Sequence, residues 1–230
     1  MGGKDQPEKE WWNHLLMVLG LAAAVLIVYG QVWDFSFTSY DDNLYVGQAM
    51  VRQGITPASI LWACTATING AWMPLTWLSH ILDFQLFGEW AGGHHLVNVL
   101  FHLVNSLLLY LLLFRLTRSQ GKSGLVASLF ALHPLHVESV AWIAERRDVQ
   151  SCFWGLLAIL AYAGWIRHRG AGRYLVVVIC FVAALAAKPM AVTLPVVLLL
   201  LDFWPFDRAL AEGGGQPRSK WRIFIRLLVE

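Results

Sequence analysis

Two adjacent carboxylates, Asp41 and Asp42, are the first residues in the chain whose type and position suggest chemistry. They lie in the stretch "FTSYDDNLYV", residues 37 to 46, directly after the apolar run 14 to 33. A carboxylate just outside a membrane span is both partly dehydrated and reachable, so it can act as a general base on a hydroxyl group. The alternative is that the pair caps the start of a loop helix.

A second group of ionisable residues follows the third apolar run, in "HPLHVESVAWIAERRD". Ionisable groups at or below a membrane surface are costly and are usually functional. The group therefore predicts a site at the outer boundary, although an ion-paired loop is the alternative for its last three charged residues. The group comprises His133, His136, Glu138, Glu145, Arg146, Arg147 and Asp148.

A polar row runs along the second apolar run. His95, Asn98, His102 and Asn105 follow one another in steps of three, four and three, which places them on one helical face. That face is expected to turn inward, toward partners or a watery cavity. Hydrogen bonding between helices is an equal alternative for the last three. His94 and His95 lie at the outer edge and are candidate site residues.

The elements that must position these residues are membrane helices. The chain is 57% hydrophobic and 14% charged, which is typical of an integral membrane protein. We predict an all-α bundle of about six spans, the first an uncleaved anchor. Only Lys188-Pro189 separates the last two, which favours a tight hairpin over one broken helix. The predicted spans lie near 14–33, 95–114, 123–142, 148–166, 173–187 and 190–204.

The distribution of Lys and Arg predicts the orientation. Most lie in segments 1–13, 115–122, 167–173 and 205–230, which are therefore expected to be cytoplasmic. These dispersed residues suit anionic lipid and give no sign of nucleic-acid binding.

In the outer loop 34–92, two apolar stretches are too short to span the membrane and begin with proline: "PASILWACTAT" and "PLTWLSHILDFQLFG". We therefore expect interfacial helices at 57–67 and 74–87.

Several stretches together resemble a known family. "YDD", "WMPLTWLSHILDFQLFG", "HHLVNVLFHLVNSLLLYLL", "ALHPLHVESVAWIAERRDV" and "LAAKPMAVTLPVVLLLLDFWP" are similar to the membrane module of bacterial tetratricopeptide-repeat-containing GT-C glycosyltransferases. That module in turn resembles the transmembrane and tetratricopeptide-repeat O-mannosyltransferases and, more remotely, the protein O-mannosyltransferases that use dolichyl-phosphate-mannose. The resemblance covers residues 11 to 230.

The resemblance implies inverting transfer of a sugar from a polyprenyl phosphate to an acceptor protein hydroxyl, at the outer face of a bacterial inner membrane. Asp41 matches the position that acts on the acceptor hydroxyl, and Asp42 is its acidic neighbour. The departing phosphate needs positive charge, for which Lys188 and either Arg146 or Arg147 are the candidates; for Lys188, snorkelling to the interface is the alternative. The other expected substrate-binding residues are His94, His95, His133, His136, Glu138 and Asp148.

Three alternatives stay open. A divalent cation, Mg²⁺ or Mn²⁺, could bind Asp41, Asp42, Glu138 and Asp148, although the resemblance leans toward metal-independent relatives. The relatives continue into further spans and repeats of about 34 residues, whereas this sequence stops at "KWRIFIRLLVE", so we expect a partial chain or a partner chain that completes the module. The rival functions are a non-enzymatic transporter or scaffold and a lipid-linked oligosaccharide transferase or polymerase.

Overall fold

The computed structural model describes residues 5 to 203 and residue 206, and side chains from residue 11 onward. Apart from Phe206, the predicted basic segment 205–230 lies outside the described residues. The helices are α1 Asp5–Tyr29, α2 Asp42–Tyr45, α3 Ala49–Arg52, α4 Pro57–Thr65, α5 Pro74–Phe87, α6 Ala91–Thr117, α7 Gln120–Leu132, α8 His136–Ala141, α9 Arg146–Arg167, α10 Ala171–Ala187 and α11 Leu194–Phe203. Short 3-10 helices cover Gly30–Asp34, Ile143–Glu145 and Pro189–Thr193.

The all-α membrane class is confirmed. Three helical segments in the described part of the chain are long and apolar enough to cross a membrane: Trp11–Asp34, Ala91–Thr117 and Ile143–Arg167. Two shorter apolar segments, Ala171–Ala187 and Pro189–Phe203, follow, separated at Lys188. Proline at the start of the second segment has no N–H to continue the helix, which explains the break. The count of six spans remains a prediction.

The run 123–142, predicted as one span, is divided in the structure. Helix α7 ends at Leu132, and α8 begins only at His136. Proline at position 134 lacks an amide hydrogen and disfavours a helical conformation at the residue before it, and His133 accordingly has an extended backbone (φ −68°, ψ 129°). The break turns the chain, so the polar residues after Leu132 do not continue the axis of α7.

The outer loop contains the two predicted helices. Helix α4 begins at Pro57, preceded by a capping box in which Thr56 and Ser59 satisfy each other's backbone amides. Helix α5 begins at Pro74 and ends before Gly88, whose φ of 57° favours glycine. Between them, β1 Thr67–Ile68 and β2 Ala71–Trp72 pair antiparallel, with Thr67 opposite Trp72. That the two helices lie in the membrane interface remains a prediction.

Helix α6 lies at the centre of the bundle and packs against α1, α7 and α9, while α9 also packs along α10. Lipid gives no hydrophobic drive for helices to associate, so close van der Waals packing must hold them. The packing is close at Gly92, where an added Cβ would lie 2.2 Å from the Trp33 carbonyl oxygen. The main apolar cluster comprises Leu21, Val25, Tyr29, Val32, Val99, Tyr110, Ala127, Ala131, Val140 and Val149.

The polar row of α6 faces inward, as its spacing predicts. All four side chains are buried, and the last three bond to backbone carbonyls of neighbouring elements. The contacts are Asn98 Nδ2 to Trp142 O (2.8 Å), His102 Nε2 to Ala131 O (3.0 Å) and Asn105 Nδ2 to Val149 O (2.8 Å). These three residues therefore join helices, which was one of the two alternatives for them.

Candidate functional site

The two carboxylates of the YDD stretch have different surroundings. Asp42 is only 1% exposed, and its carboxylate accepts hydrogen bonds from the backbone amides of Thr38 (2.7 Å) and Ala144 (3.1 Å). These bonds tie the loop after α1 to the 3-10 turn before α9. Asp42 therefore fixes the backbone that carries Asp41.

Asp41 has no such constraint. Its side chain is half-buried and makes no hydrogen bond or ion pair with another residue in the described part of the chain. It occupies the N-cap position of α2, but its side chain makes no capping hydrogen bond. The capping alternative therefore does not describe Asp41.

Tyr45, one helical turn after Asp41, connects the YDD loop to the start of α9. Its hydroxyl accepts a hydrogen bond from Nη1 of Arg147 (2.9 Å). Burial raises the pKa of the Tyr45 phenol; Arg147 acts in the opposite direction, and the carboxylates of Glu145, Asp41 and Asp148 add to the increase. All four charged groups are thus close enough to Tyr45 to act on it electrostatically.

A cluster of alternating charges surrounds the start of α9. Nη2 of Arg147 lies 2.5 Å from Oε1 of Glu145, and Nζ of Lys188 contacts Asp148 and lies 4.0 Å from Oε2 of Glu145. The second oxygen of Asp148 accepts a hydrogen bond from the Ser139 hydroxyl (3.1 Å). Both cations keep 28% of their side-chain surface exposed, so an additional anion can reach them.

Two cavities adjoin these residues. The first, of about 270 Å³, is bordered by Lys188, Asp148, His136 and Ser139, with His102, Asn105, Phe130, Val149, Ser151, Cys152 and Met190 around them. The second, of about 510 Å³, lies beside the YDD loop. Its lining comprises Asp34, Phe35, Ser36, Thr38, His95, Val137, Glu138, Ala141 and Trp142. Of the predicted site residues, the first cavity has His136, Asp148 and Lys188 in its lining, and the second has His95 and Glu138. The predicted residues that line neither cavity are Asp41, Asp42, His94, His133, Arg146 and Arg147.

Arg146 has a different environment from Arg147. Its guanidinium is completely buried, forms an ion pair with Asp83 at 2.6 Å, and donates to the Ser79 hydroxyl (2.7 Å) and the His94 carbonyl (2.7 Å). It also contacts Oδ1 of Asn98. The guanidinium nitrogens of Arg146 are thus occupied by protein partners, whereas the Arg147 side chain is partly exposed.

Three further residues meet at a site that the sequence analysis missed. His80, Asp83 and His94 are buried, and one potential ligand atom from each lies within 4.8 Å of the others. Burial, followed by Arg146 and His94, lowers the pKa of His80 well below its usual value, whereas burial raises that of Asp83 against the effect of Arg146. The three-residue spacing of His80 and Asp83 on α5 was the available signal.

The acids considered for Mg²⁺ or Mn²⁺ do not converge in this way. Within the described residues, His80, Asp83 and His94 make up the group with metal-ligand geometry. Asp42 uses its carboxylate for backbone amides, and Asp148 contacts Lys188 and Ser139. The groups that interact electrostatically with Tyr45 beside Asp41 are the carboxylates of Glu145 and Asp148 and the guanidinium of Arg147.

Comparison with known proteins gives clear relatives. Protein O-mannosyl-transferase Tmtc1 of Drosophila melanogaster is 37% identical over 125 residues, covering 54% of this chain and 15% of the relative. Tmtc2 of the same organism is 35% identical over 141 residues (58% and 15%), and TMTC1 of Mus musculus is 35% identical over 152 residues (62% and 16%).

The similarity concerns a limited portion of these proteins, because the chain spans about 15% of the length of these three relatives. No family model matches the chain. No solved structure matches it significantly. Over more than half of its residues, this helical membrane chain is similar to the transmembrane and tetratricopeptide-repeat protein O-mannosyltransferases.

Proposed function

We propose that this chain carries the catalytic membrane portion of a glycosyltransferase that acts on proteins. The sugar would come from a polyprenyl phosphate and pass to a protein hydroxyl at the extracytoplasmic face of a bacterial inner membrane. The names of the relatives support transfer to protein. The observation that carries the proposal is that Tyr45, whose hydroxyl accepts a hydrogen bond from the partly exposed Arg147, also lies within electrostatic reach of Asp41. The Asp41 carboxylate has no partner in the described part of the chain.

Asp41 is the general base in this proposal. The acceptor Ser or Thr hydroxyl gives its proton to Asp41 while its oxygen attacks the anomeric carbon of the sugar. The bond from that carbon to the lipid phosphate breaks with its electron pair, and attack from the opposite side inverts the configuration. Asp41 suits this role because its carboxylate has no partner in the described part of the chain that would compete for the proton.

Arg147 and Lys188 stabilise the departing phosphate. Hydrogen bonds from a cation to a phosphate are about twice as strong as those between neutral groups. Before the donor binds, Glu145 and Asp148 hold the two cations in place. Binding of the donor would exchange some of these contacts for contacts with the phosphate, and the partial exposure of both cations allows this exchange.

The cavity next to Lys188 is the proposed location of the donor head group. His102, which borders it, is eight residues along α6 from His94, so this part of the cavity lies about 12 Å further along the helix than His94. A donor whose lipid chain stays in the bilayer could enter at this depth. His136 and Ser139 would shape the cavity, while His95 and Glu138 border the neighbouring one, where the acceptor would approach.

The test compares cells that lack the gene with cells that carry the wild-type or the Asp41→Asn form, by mass spectrometry of periplasmic proteins. We expect a sugar mass to disappear on deletion, to return with wild type, and to stay reduced by at least ~10²-fold with Asp41→Asn. Glu89→Gln, which changes an exposed acid in the outer loop, is the matched control. An unchanged glycan pattern after deletion would refute the function, and full transfer by Asp41→Asn would remove Asp41 from catalysis.

A further inference from the structure

Buried histidine nitrogens without hydrogen-bond partners mark the group formed by His80, Asp83 and His94. His80 is completely buried, and neither of its ring nitrogens has a hydrogen-bond partner in the described part of the chain. Nδ1 of His94 lacks a partner in the same way. An unsatisfied buried polar group costs about 1–3 kcal/mol. One such nitrogen from each histidine lies near a carboxylate oxygen of Asp83, which indicates that the site holds something besides protein.

The spacing of the group suits a metal ion. The three potential ligand atoms lie within 4.8 Å of one another. Zinc binds histidine nitrogen and carboxylate oxygen at about 2.0–2.2 Å in tetrahedral geometry, so its ligands lie roughly 3.4 Å apart. Metal binding would therefore bring the three ligand atoms closer together than they are in this structure.

The surrounding contacts are those that support metal ligands. Nε2 of His94 lies 3.0 Å from the Gly88 carbonyl oxygen; as the donor in that bond, it leaves the lone pair of Nδ1 directed at the group. Asp83 contacts the Arg146 guanidinium at 2.6 Å. Ligating histidines in proteins usually donate their other N–H to a carbonyl or carboxylate, and ligating carboxylates are hydrogen-bonded in turn.

We propose that His80, Asp83 and His94 bind one zinc-like transition metal ion. Two nitrogen ligands favour Zn²⁺ over Mg²⁺ or Ca²⁺, which prefer oxygen. Asp41 is not part of this site, and the proposal does not depend on the proposed glycosyl transfer. Since all three ligands are buried, substrate has no access to the metal, which acts as a clip between α5 and the start of α6.

Arg146 is the main opposing factor, because its positive charge is close to the metal position. The guanidinium shares the Asp83 carboxylate, so the site binds metal more weakly than one in which the carboxylate serves the ion alone. The nearby Asp42 carboxylate, which interacts electrostatically with His94, offsets part of this repulsion. The fourth ligand would be the second oxygen of Asp83 or a water molecule.

The experiment measures metal in the full chain, purified in detergent with a tag that contains no histidine. The protein is stripped with a chelator, reloaded with Zn²⁺ and analysed by mass spectrometry for bound metal; a second sample is loaded with Co²⁺ for visible spectroscopy. His80→Gln removes one ligand. His133→Gln changes an exposed histidine outside the group and is the matched control.

We expect about one zinc ion per chain in wild type and in His133→Gln, and at least ~10-fold weaker binding in His80→Gln. Absence of bound zinc in wild type, or equal binding by His80→Gln, would overturn the proposal. Should His80→Gln not fold, the cobalt spectrum of the wild-type protein decides. Intense tetrahedral absorption supports the site, whereas weak octahedral absorption or none refutes it.

Discussion

Nη2 of Arg146 lies 2.6 Å from Oδ2 of Asp83, and the two side chains are only 0% and 3% exposed. The pair joins α9 to the outer helix α5. The next residue, Arg147, is partly exposed and donates to Tyr45. The two adjacent arginines therefore differ in role. Arg146 holds the outer loop against the helical bundle, whereas Arg147 faces the candidate site.

The first prediction concerns this buried pair. Arg146→Gln leaves the Asp83 carboxylate buried without its cation, and loss of one partner of a buried pair typically costs about 3–5 kcal/mol. We expect a loss of this size in the free energy of unfolding, measured by denaturant titration in detergent and in metal-free buffer. Arg52→Gln is the control, because Arg52 pairs with Glu89 at 2.8 Å on an exposed surface, where such pairs contribute about 0–1 kcal/mol. Equal losses in both variants would contradict the assignment.

The second prediction separates the two carboxylates of the YDD stretch. Both carboxylate oxygens of Asp42 accept from backbone N–H groups, those of Thr38 and Ala144. In Asp42→Asn, the side-chain NH₂ group would replace one of these oxygens and face an N–H donor, so one hydrogen bond is lost. The unpaired amide should cost about 1–3 kcal/mol. We expect faster hydrogen exchange in residues 36 to 46, measured by mass spectrometry of the purified chain.

Asp41→Asn provides the comparison for that experiment. Its side chain makes no hydrogen bond within the described residues, so we expect exchange in the loop to stay at the wild-type rate. Asn43→Ala, at an exposed neighbouring position, is a further control. If Asp41→Asn loosened the loop as much as Asp42→Asn does, the division into a base and a positioning residue would be wrong.

The third prediction concerns the cations near the proposed donor site. Lys188→Gln and Arg147→Gln each remove a charged donor, and a hydrogen bond to a charged group contributes about 1.5–3 kcal/mol. We therefore expect KM for the lipid donor to rise roughly 10- to 100-fold. Lys188→Arg should retain part of the affinity, and Arg52→Gln should behave as wild type. An unchanged KM in both glutamine variants would exclude the two residues from donor binding.

Local signals in the sequence predicted much of the fold. Proline at positions 57 and 74 marked the starts of α4 and α5, because proline suits the first helical turn. The steps of three and four along α6 correctly predicted an inward polar face. Both signals depend only on the spacing of residues within one helix, so they can be identified from the sequence without knowing which helices pack together.

Other features depend on contacts between distant segments. Arg146 and Arg147 are equivalent in the sequence, but successive helical residues point about 100° apart, and only the packing of α9 decides which one is buried. The meeting of His80 with His94 likewise requires the turn at Gly88 that folds α6 back against α5. The high apolar content of residues 123–142 predicted one continuous span. Hydropathy does not take into account that Pro134 disfavours a helix, so the break before His136 was missed.

The last prediction concerns orientation. Arg115, Arg118 and Lys122 lie at the ends of α6 and α7 that join these helices, and cytoplasmic loops retain such residues. The opposite end of α6 carries the outer loop with its acids. We therefore expect the connection between α6 and α7 to be cytoplasmic and the outer loop, including Cys64, to be extracytoplasmic.

Single-cysteine labelling in intact cells can measure this. Gly121 is a suitable position, because an added Cβ meets no atom within 4 Å, and cysteine can be introduced without a clash. In a background with Cys64, Cys152 and Cys180 replaced by Ala, Gly121→Cys should resist an impermeant thiol reagent until the membrane is permeabilised. A chain that keeps Cys64 alone, whose side chain is exposed, is the matched control and should react in intact cells. Labelling at position 121 in intact cells would reverse the orientation, and it would place Asp41, Arg147 and Lys188 on the side of the membrane opposite to the proposed site of transfer.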